Sequence, residues 1–282
     1  MKINRIVRAK IGVPGKTGSE FTGLKMSFKV DKSESSDSNT CSFSIFNLNT
    51  DSRNKINVED AVLYLYAGYL NDVGDELIFT GDISLISTSI ERPNIITKIE
   101  AKDGEKKLND TKLSVSFKEG ASIAQVVQKA FDKLNLPIKT KSLLDPLKNI
   151  KFNNGSAFMG KAKNLLDILF AGVGMDWSIQ NGEIKFYYSN NTDNSFAVVL
   201  DSSSLVGSPE RIKIKKSKKD SSPEVDGWKF TSLLSPKVEP GGTVIVTSRE
   251  IPERSNFKVL NVEHNGDSFE GEFLTRIEAI QI

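Results

Sequence analysis

Leu24-Lys-Met-Ser-Phe-Lys-Val30 alternates apolar and polar residues without a break, and Cys41-Ser-Phe-Ser-Ile45 repeats the alternation a short way on. A period of two sends successive side chains to opposite faces, so each run reads as a strand with one face buried and one wet. Working outward, Ala61-Val-Leu-Tyr-Leu-Tyr-Ala67 is apolar on both faces, which places it centrally in its sheet. Glu76–Ser89 and Asn94–Asp103 continue the series, with breaks expected at Gly81-Asp82 and at Arg92-Pro93-Asn94. The polar run Asp31–Asn39 reads as an exposed loop and Asn71–Glu76 as a hairpin tip. Asn47–Ile56 has room for one helical turn capped by Asn49 or Thr50. Six or seven strands punctuated this often describe a β-barrel or a sandwich over residues 1–103.

The period then changes. Ser122-Ile-Ala-Gln125 has the capping-box form, and Ile123, Val126, Val127, Ala130, Phe131 and Leu134 follow at helical spacing until Leu136-Pro137. A second helix is expected to start between Ser156 and Gly160, carry Ala162, Leu165, Leu166, Leu169 and Phe170, and end at Gly172 or Gly174. Asn181-Gly182 between two alternating runs signals a hairpin spanning Trp177–Tyr188. Residues 104–200 therefore read as a small two-helix α+β domain. From residue 201 to 282 short strands return at Glu224–Leu233, Thr243–Ser248, Phe257–His264 and Phe269–Ile282, separated by Pro236, Pro240-Gly-Gly242 and Pro252.

Composition narrows the chemistry. In 282 residues, 38 basic side chains face 36 acidic ones, so no global field draws the protein to nucleic acid or an anionic membrane. The one cysteine, Cys41, excludes an internal disulfide framework and a cysteine zinc cluster. The one histidine, His264, excludes a two-histidine metal site and sits before Asn265-Gly266, where a polar turn-tip residue is ordinary. The amino terminus lacks the apolar run of a signal peptide, and no stretch reaches the length of a membrane-spanning helix. Gly172-Val-Gly174 lacks the third glycine of a dinucleotide loop, and no phosphate-binding loop or nucleophile elbow occurs. No catalytic, metal-binding or cofactor-binding residue is thus expected, and no cofactor. Two carboxylates could still meet to hydrolyse a glycan, as in a cell-wall-degrading enzyme. In Arg211-Ile-Lys-Ile-Lys-Lys-Ser-Lys-Lys219, six of nine residues are basic. That run reads as an edge strand kept soluble by lysines, or alternatively as a phosphate-contacting strip of a nucleic-acid-binding protein without aromatic residues to stack bases.

Three groups of motifs occur in an order that resembles one family. Phe43-Ser-Ile-Phe-Asn-Leu-Asn49, Leu65-Tyr-Ala-Gly-Tyr69 and Ile78-Phe-Thr-Gly-Asp-Ile83 are similar to the amino-terminal barrel of phage baseplate hub proteins. Gly160–Trp177 with the Asn181-Gly182 hairpin resembles the family's middle domain. Leu205–Glu210, Gly227-Trp228, Leu234–Gly241 and His264–Asp267 look like its last part. The resemblance implies a non-enzymatic virion protein, assembled in the host cytoplasm and located in the tail baseplate. It implies a homotrimer in which two tube-like β-barrels per chain, residues 1–103 and 201–282, form a ring of six with the middle domain outside. It further implies a tail tube or distal tail protein on one side, a central spike on the other, wedge proteins at the periphery, DNA only in transit and no membrane anchor. At 282 residues the lytic domain that larger hubs carry is not expected.

Overall fold

A computed structural model describes residues 4–72, 74–189, 197–215, 224–251 and 253–282. The first region carries β1 (Arg5–Gly12), β2 (Ser19–Thr22), β3 (Met26–Ser33), β4 (Thr40–Phe46), helix α1 (Thr50–Ile56), β5 (Val62–Tyr69), β6 (Gly74–Glu91) and β7 (Asn94–Lys102). Next come α2 (Glu105–Asp110), β8 (Lys112–Phe117), α3 (Ile123–Leu134), β9 (Ser156–Lys161), α4 (Ala162–Ala171), β10 (Met175–Gln180) and β11 (Glu183–Tyr188). The last region holds β12 (Ala197–Leu200), β13 (Glu210–Lys215), β14 (Glu224–Leu233), β15 (Thr243–Val246), β16 (Ser255–Asp267) and β17 (Phe273–Gln281). With 52% of residues in strands and 16% in helices, the fold is mainly β.

Thirteen strands share one sheet, in the order β13-β14-β17-β16-β3-β4-β7-β6-β5-β1-β2, with β15 on β16 and β12 on β15. The two tube-like β-barrels expected from the sequence do not appear as closed barrels. Among the described residues the pairing closes no ring. The cause is β16, whose 13 residues outreach β15: its first part pairs with β15 and its second part with β3. The last region is thereby stitched to the first. The two regions nonetheless share a strand order. The path β3-β4-β7-β6-β5-β1 has the same connectivity as β13-β14-β17-β16-β15-β12. Even the sequence repeats at one matched place, Ile99-Glu-Ala101 on β7 and Ile277-Glu-Ala279 on β17. Two differences stand: β1 runs antiparallel to β5 whereas β12 is parallel to β15, and β2 has no counterpart.

Three apolar clusters fill the molecule. The first packs the inward faces of β1–β7 around Phe28, Phe43 and Phe79, and recruits Leu234 and Phe273 from the far end of the chain. The second joins α3 and α4 to the β10–β11 hairpin through stacked Phe131, Phe170 and Phe186 rings. The third lies under β14–β17 around Phe230 and Phe257, with half-buried Trp228 against both rings.

Local chemistry accounts for most elements. The Ser122 hydroxyl accepts from the Gln125 amide, and the Gln125 side chain accepts from the Ser122 amide, so both ends of the capping box are made. Asn49 caps α1. Asn181 and Gly182 both have positive φ, 56° and 80°, as a tight hairpin turn requires. Three expectations are corrected. The second helix starts only at Ala162, because Ser156–Lys161 pairs with β8 as a strand. β6 runs unbroken through Gly81-Asp82, since Gly81 answers a close approach: a Cβ there would lie 2.6 Å from the Phe79 ring and 2.7 Å from the Lys102 backbone. Asn265-Gly266 is not a turn but strand, with Gly266 making room for the Phe28 and Phe273 rings, and the chain reverses after Asp267.

Candidate functional site: a buried junction, a loop tip and open sheet edges

Polar residues that read as an exposed loop lie instead at the junction of the three regions. Lys32, Ser33, Glu34 and Asn39 are all buried. The β10–β11 hairpin covers them. The Asn39 side chain donates to the Ile179 carbonyl (2.8 Å) and to Gln180 (3.0 Å), while Gln180 donates back to the Ser33 carbonyl (2.8 Å). At the hairpin tip Lys32 donates to the Asn181 side chain (3.1 Å), and Asp103 accepts the Gly182 amide (3.0 Å). From the last region, buried Lys258 forms an ion pair with Glu34 and donates to the Tyr188 carbonyl (2.9 Å). Glu239 accepts from Lys185 and Lys139. Buried charges persist only when paired and hydrogen-bonded, and here each partner comes from a different part of the chain.

The electrostatics follow. Burial pushes the Asp103 carboxyl up to about 7 despite Lys32 nearby. Burial also disfavours the Glu239 carboxylate, but the surrounding Lys185, Lys32 and Lys139 outweigh it and hold the group at about 2. His264 is fully buried, with its Nδ1 2.9 Å from the Thr275 hydroxyl, and burial with repulsion from Lys32 lowers it to about 3. It is a neutral core histidine rather than a turn-tip residue. Burial raises the Cys41 thiol well above its ordinary value and leaves it inert. Among the described residues no group of three or more histidine, cysteine, aspartate or glutamate side chains could hold a metal, and no helix is long and apolar enough to cross a membrane.

Of the basic run, Arg211–Lys215 forms β13, which pairs with β14 and ends the sheet path, with the Arg211 guanidinium over the Trp228 ring. Lys216–Lys219 lies outside the described residues. A second edge is β6 beyond Asp82. β5 stops there, so among the described residues Leu85–Glu91 is paired with β7 alone. At one end of the sheet Arg5 donates to the carbonyls of Asp267 (3.0 Å), Glu270 (2.9 Å) and Gly271 (2.8 Å), while Asp267 accepts the Phe269 and Glu270 amides. This wiring holds out Phe269 with 64% of its surface exposed. Between β8 and α3 a groove of about 1120 Å³ is rimmed by Lys118, Lys129, Lys148 and Lys151. What the described residues expose is open backbone edges, an apolar tip and a basic-rimmed groove. Sequence periodicity could place the strands but not say which edges stay unpaired.

No family model matches this chain, and neither does any curated protein. Solved structures do. The chain is similar to the 43 kDa tail protein of prophage MuSo2 from Shewanella oneidensis, with a TM-score of 0.63 at 12% identity, covering 98% of each chain. A tail protein from Neisseria meningitidis gives 0.62 at 12% identity, over 98% of this chain and 96% of that one. The Escherichia coli protein c3393, described as a type VI secretion system component structurally similar to T4 tail proteins gp27 and gp5, gives 0.62 at 11% identity over 97% of this chain and 77% of that one. The fold is the one these tail proteins share.

Proposed function

We propose, from that shared fold, that the chain is a structural component of a phage-type tail baseplate. In this reading it is a trimeric hub that joins a six-fold tail tube to a three-fold central spike and keeps a channel open for DNA. One observation carries the reading: the likeness to a prophage tail protein runs over 98% of both chains, so almost none of either is left unmatched. The units are residues 1–103, 104–200 and 201–282, the first and last being tube-like and the middle peripheral. The matched strand order supports two copies of one unit per chain, as six near-equivalent positions in a trimer require. A tube or distal tail protein, the spike and the wedge proteins are the proposed neighbours, and the virion tail the location. The chemistry of the junction is structural, and we assign the chain no catalysis.

Deleting the gene from the genome that encodes it tests this. The expected result is tailless or non-infectious particles, restored by the wild-type gene, with the chain present in purified tails. Its absence from tails, or normal tails without it, overturns the reading.

A further inference from the structure

The first and last regions meet through one strand pair, and the halves of a second such pair are left open. β16 pairs with β15 along Ser255–Lys258 and with β3 from Asn261 to Asp267. β6 is its counterpart. It pairs with β5 along Gly74–Asp82, shifts register between Ile83 and Leu85 as β16 does between Val259 and Asn261, then has β7 alone beside it. β13 is the counterpart of β3 and, among the described residues, pairs only with β14. Each chain therefore contains one β16–β3 seam and exposes an open β6 edge and an open β13 edge.

Beyond its register shift the β6 edge is undefended. Leu85-Ile-Ser-Thr-Ser-Ile-Glu91 has one charge, no lysine and no proline, and Leu85 and Ile90 are 57% and 71% exposed. Solvent-facing edges are normally blunted by charge, proline or a bulge, because an open ladder recruits other strands.

We propose that Leu85–Glu91 of one copy pairs antiparallel with β13 of a second copy of this chain, in the register of the internal seam. The matched ladders fix that register. Ile86 and Val262 both sit opposite the isoleucine of the repeated Ile-Glu-Ala, and Val30 and Arg211 both sit opposite the β4 or β14 residue that faces its alanine. Since Val262 faces Lys32 and His264 faces Val30 in the seam, Ile86 faces Lys213 and Thr88 faces Arg211 across the copies. The contact is head-to-tail, so repetition gives a ring or a filament. Its closure at three copies rests on the hub reading; the register does not.

The test is a Thr88→Cys/Arg211→Cys double variant of the full chain, oxidised under native conditions. Both side chains are exposed, and six strands of the sheet separate β13 from β6, so a bond between copies is read directly from the covalent multimers it forms. Directly opposed residues of an antiparallel pair lie about 4.5–5.5 Å apart at Cα, within disulfide reach. The expected product is a covalent ring of three chains, reversed by reductant, while the out-of-register pair Thr88→Cys/Lys213→Cys stays largely uncoupled. Thr88→Arg should reduce association about tenfold or more by facing Arg211, with Arg211→Glu restoring it. Cross-linked rings or ladders of another size support the pairing and overturn the count of three. A trimer by light scattering without the 88–211 bond keeps the hub reading and overturns the pairing, as does preferential coupling of the shifted pair or a chain that stays monomeric at all concentrations.

Discussion

Single residues at the junction bear more than their exposure in the sequence suggests. Gly241 has φ +78°, and a Cβ there would meet the Tyr187 ring at 2.0 Å. Gly241→Ala should therefore cost about 2–4 kcal/mol, read from the midpoint of denaturant unfolding. Asp103 and His264 set opposite pH slopes. Folded Asp103 keeps its proton to about pH 7, whereas unfolded it loses it near 3.8, so its contribution falls as pH rises between those values. His264 is neutral in the fold down to about pH 3 but protonates near 6.5 when unfolded, so its contribution rises with pH over that interval. The two nearly cancel where they overlap. Asp103→Asn, which keeps an acceptor for the Gly182 amide, should expose the histidine slope of about 1.4 kcal/mol per pH unit and be more stable than wild type at pH 8. Unfolding curves between pH 4 and 8 check both signs; a variant less stable than wild type at pH 8 would contradict the argument.

At the scale of elements, legibility followed locality. The α3 cap and the Asn181-Gly182 turn are decided by neighbouring residues, and the sequence alone was enough to place them; for α1 it narrowed the cap to Asn49 or Thr50, and Asn49 is the one used. Ser122→Ala should accordingly cost about 1 kcal/mol, with loss of α3 amide protection in hydrogen exchange. β9 was missed because Ser156–Lys161 has a weak strand pattern and gains its ladder only from β8, some forty residues earlier. The Asp31–Asn39 segment was misread for the same reason at longer range: its partners are Ile179, Gln180, Asn181 and Lys258, and no local pattern announces a polar surface that another element will cover. The Lys258–Glu34 pair makes this measurable. Glu34→Gln leaves a buried ammonium without its carboxylate and should cost about 3–5 kcal/mol, whereas Lys258→Met with Glu34→Leu should recover most of that loss. A double variant no better than Glu34→Gln would show that the pair is not the source of the cost.

On the scale of the whole molecule, strand content and order were legible, whereas barrel closure was not. Alternation announces strands, but whether a sheet closes on itself or runs on into a neighbour depends on strand length and register, here on the extra residues of β16. The open edges could be located only once every pairing was known. The resulting sheet couples remote parts of the chain, and its first core is not made of the first region alone. Phe273 stands edge-on to Tyr69 and Phe28, Leu234 lies in the same cluster, and Arg5 grips the loop beyond residue 266. A fragment ending at residue 103 should therefore bind the dye ANS and lack near-ultraviolet circular dichroism, because its core misses Leu234 and Phe273. A ribosome releases the amino-terminal half first, yet that half cannot seal its interior until codon 273 has been read and the segment has cleared the exit tunnel. Folding of the first region is thus tied to synthesis of the last, so nascent chains cannot associate through a finished β6 edge before their own β13 exists.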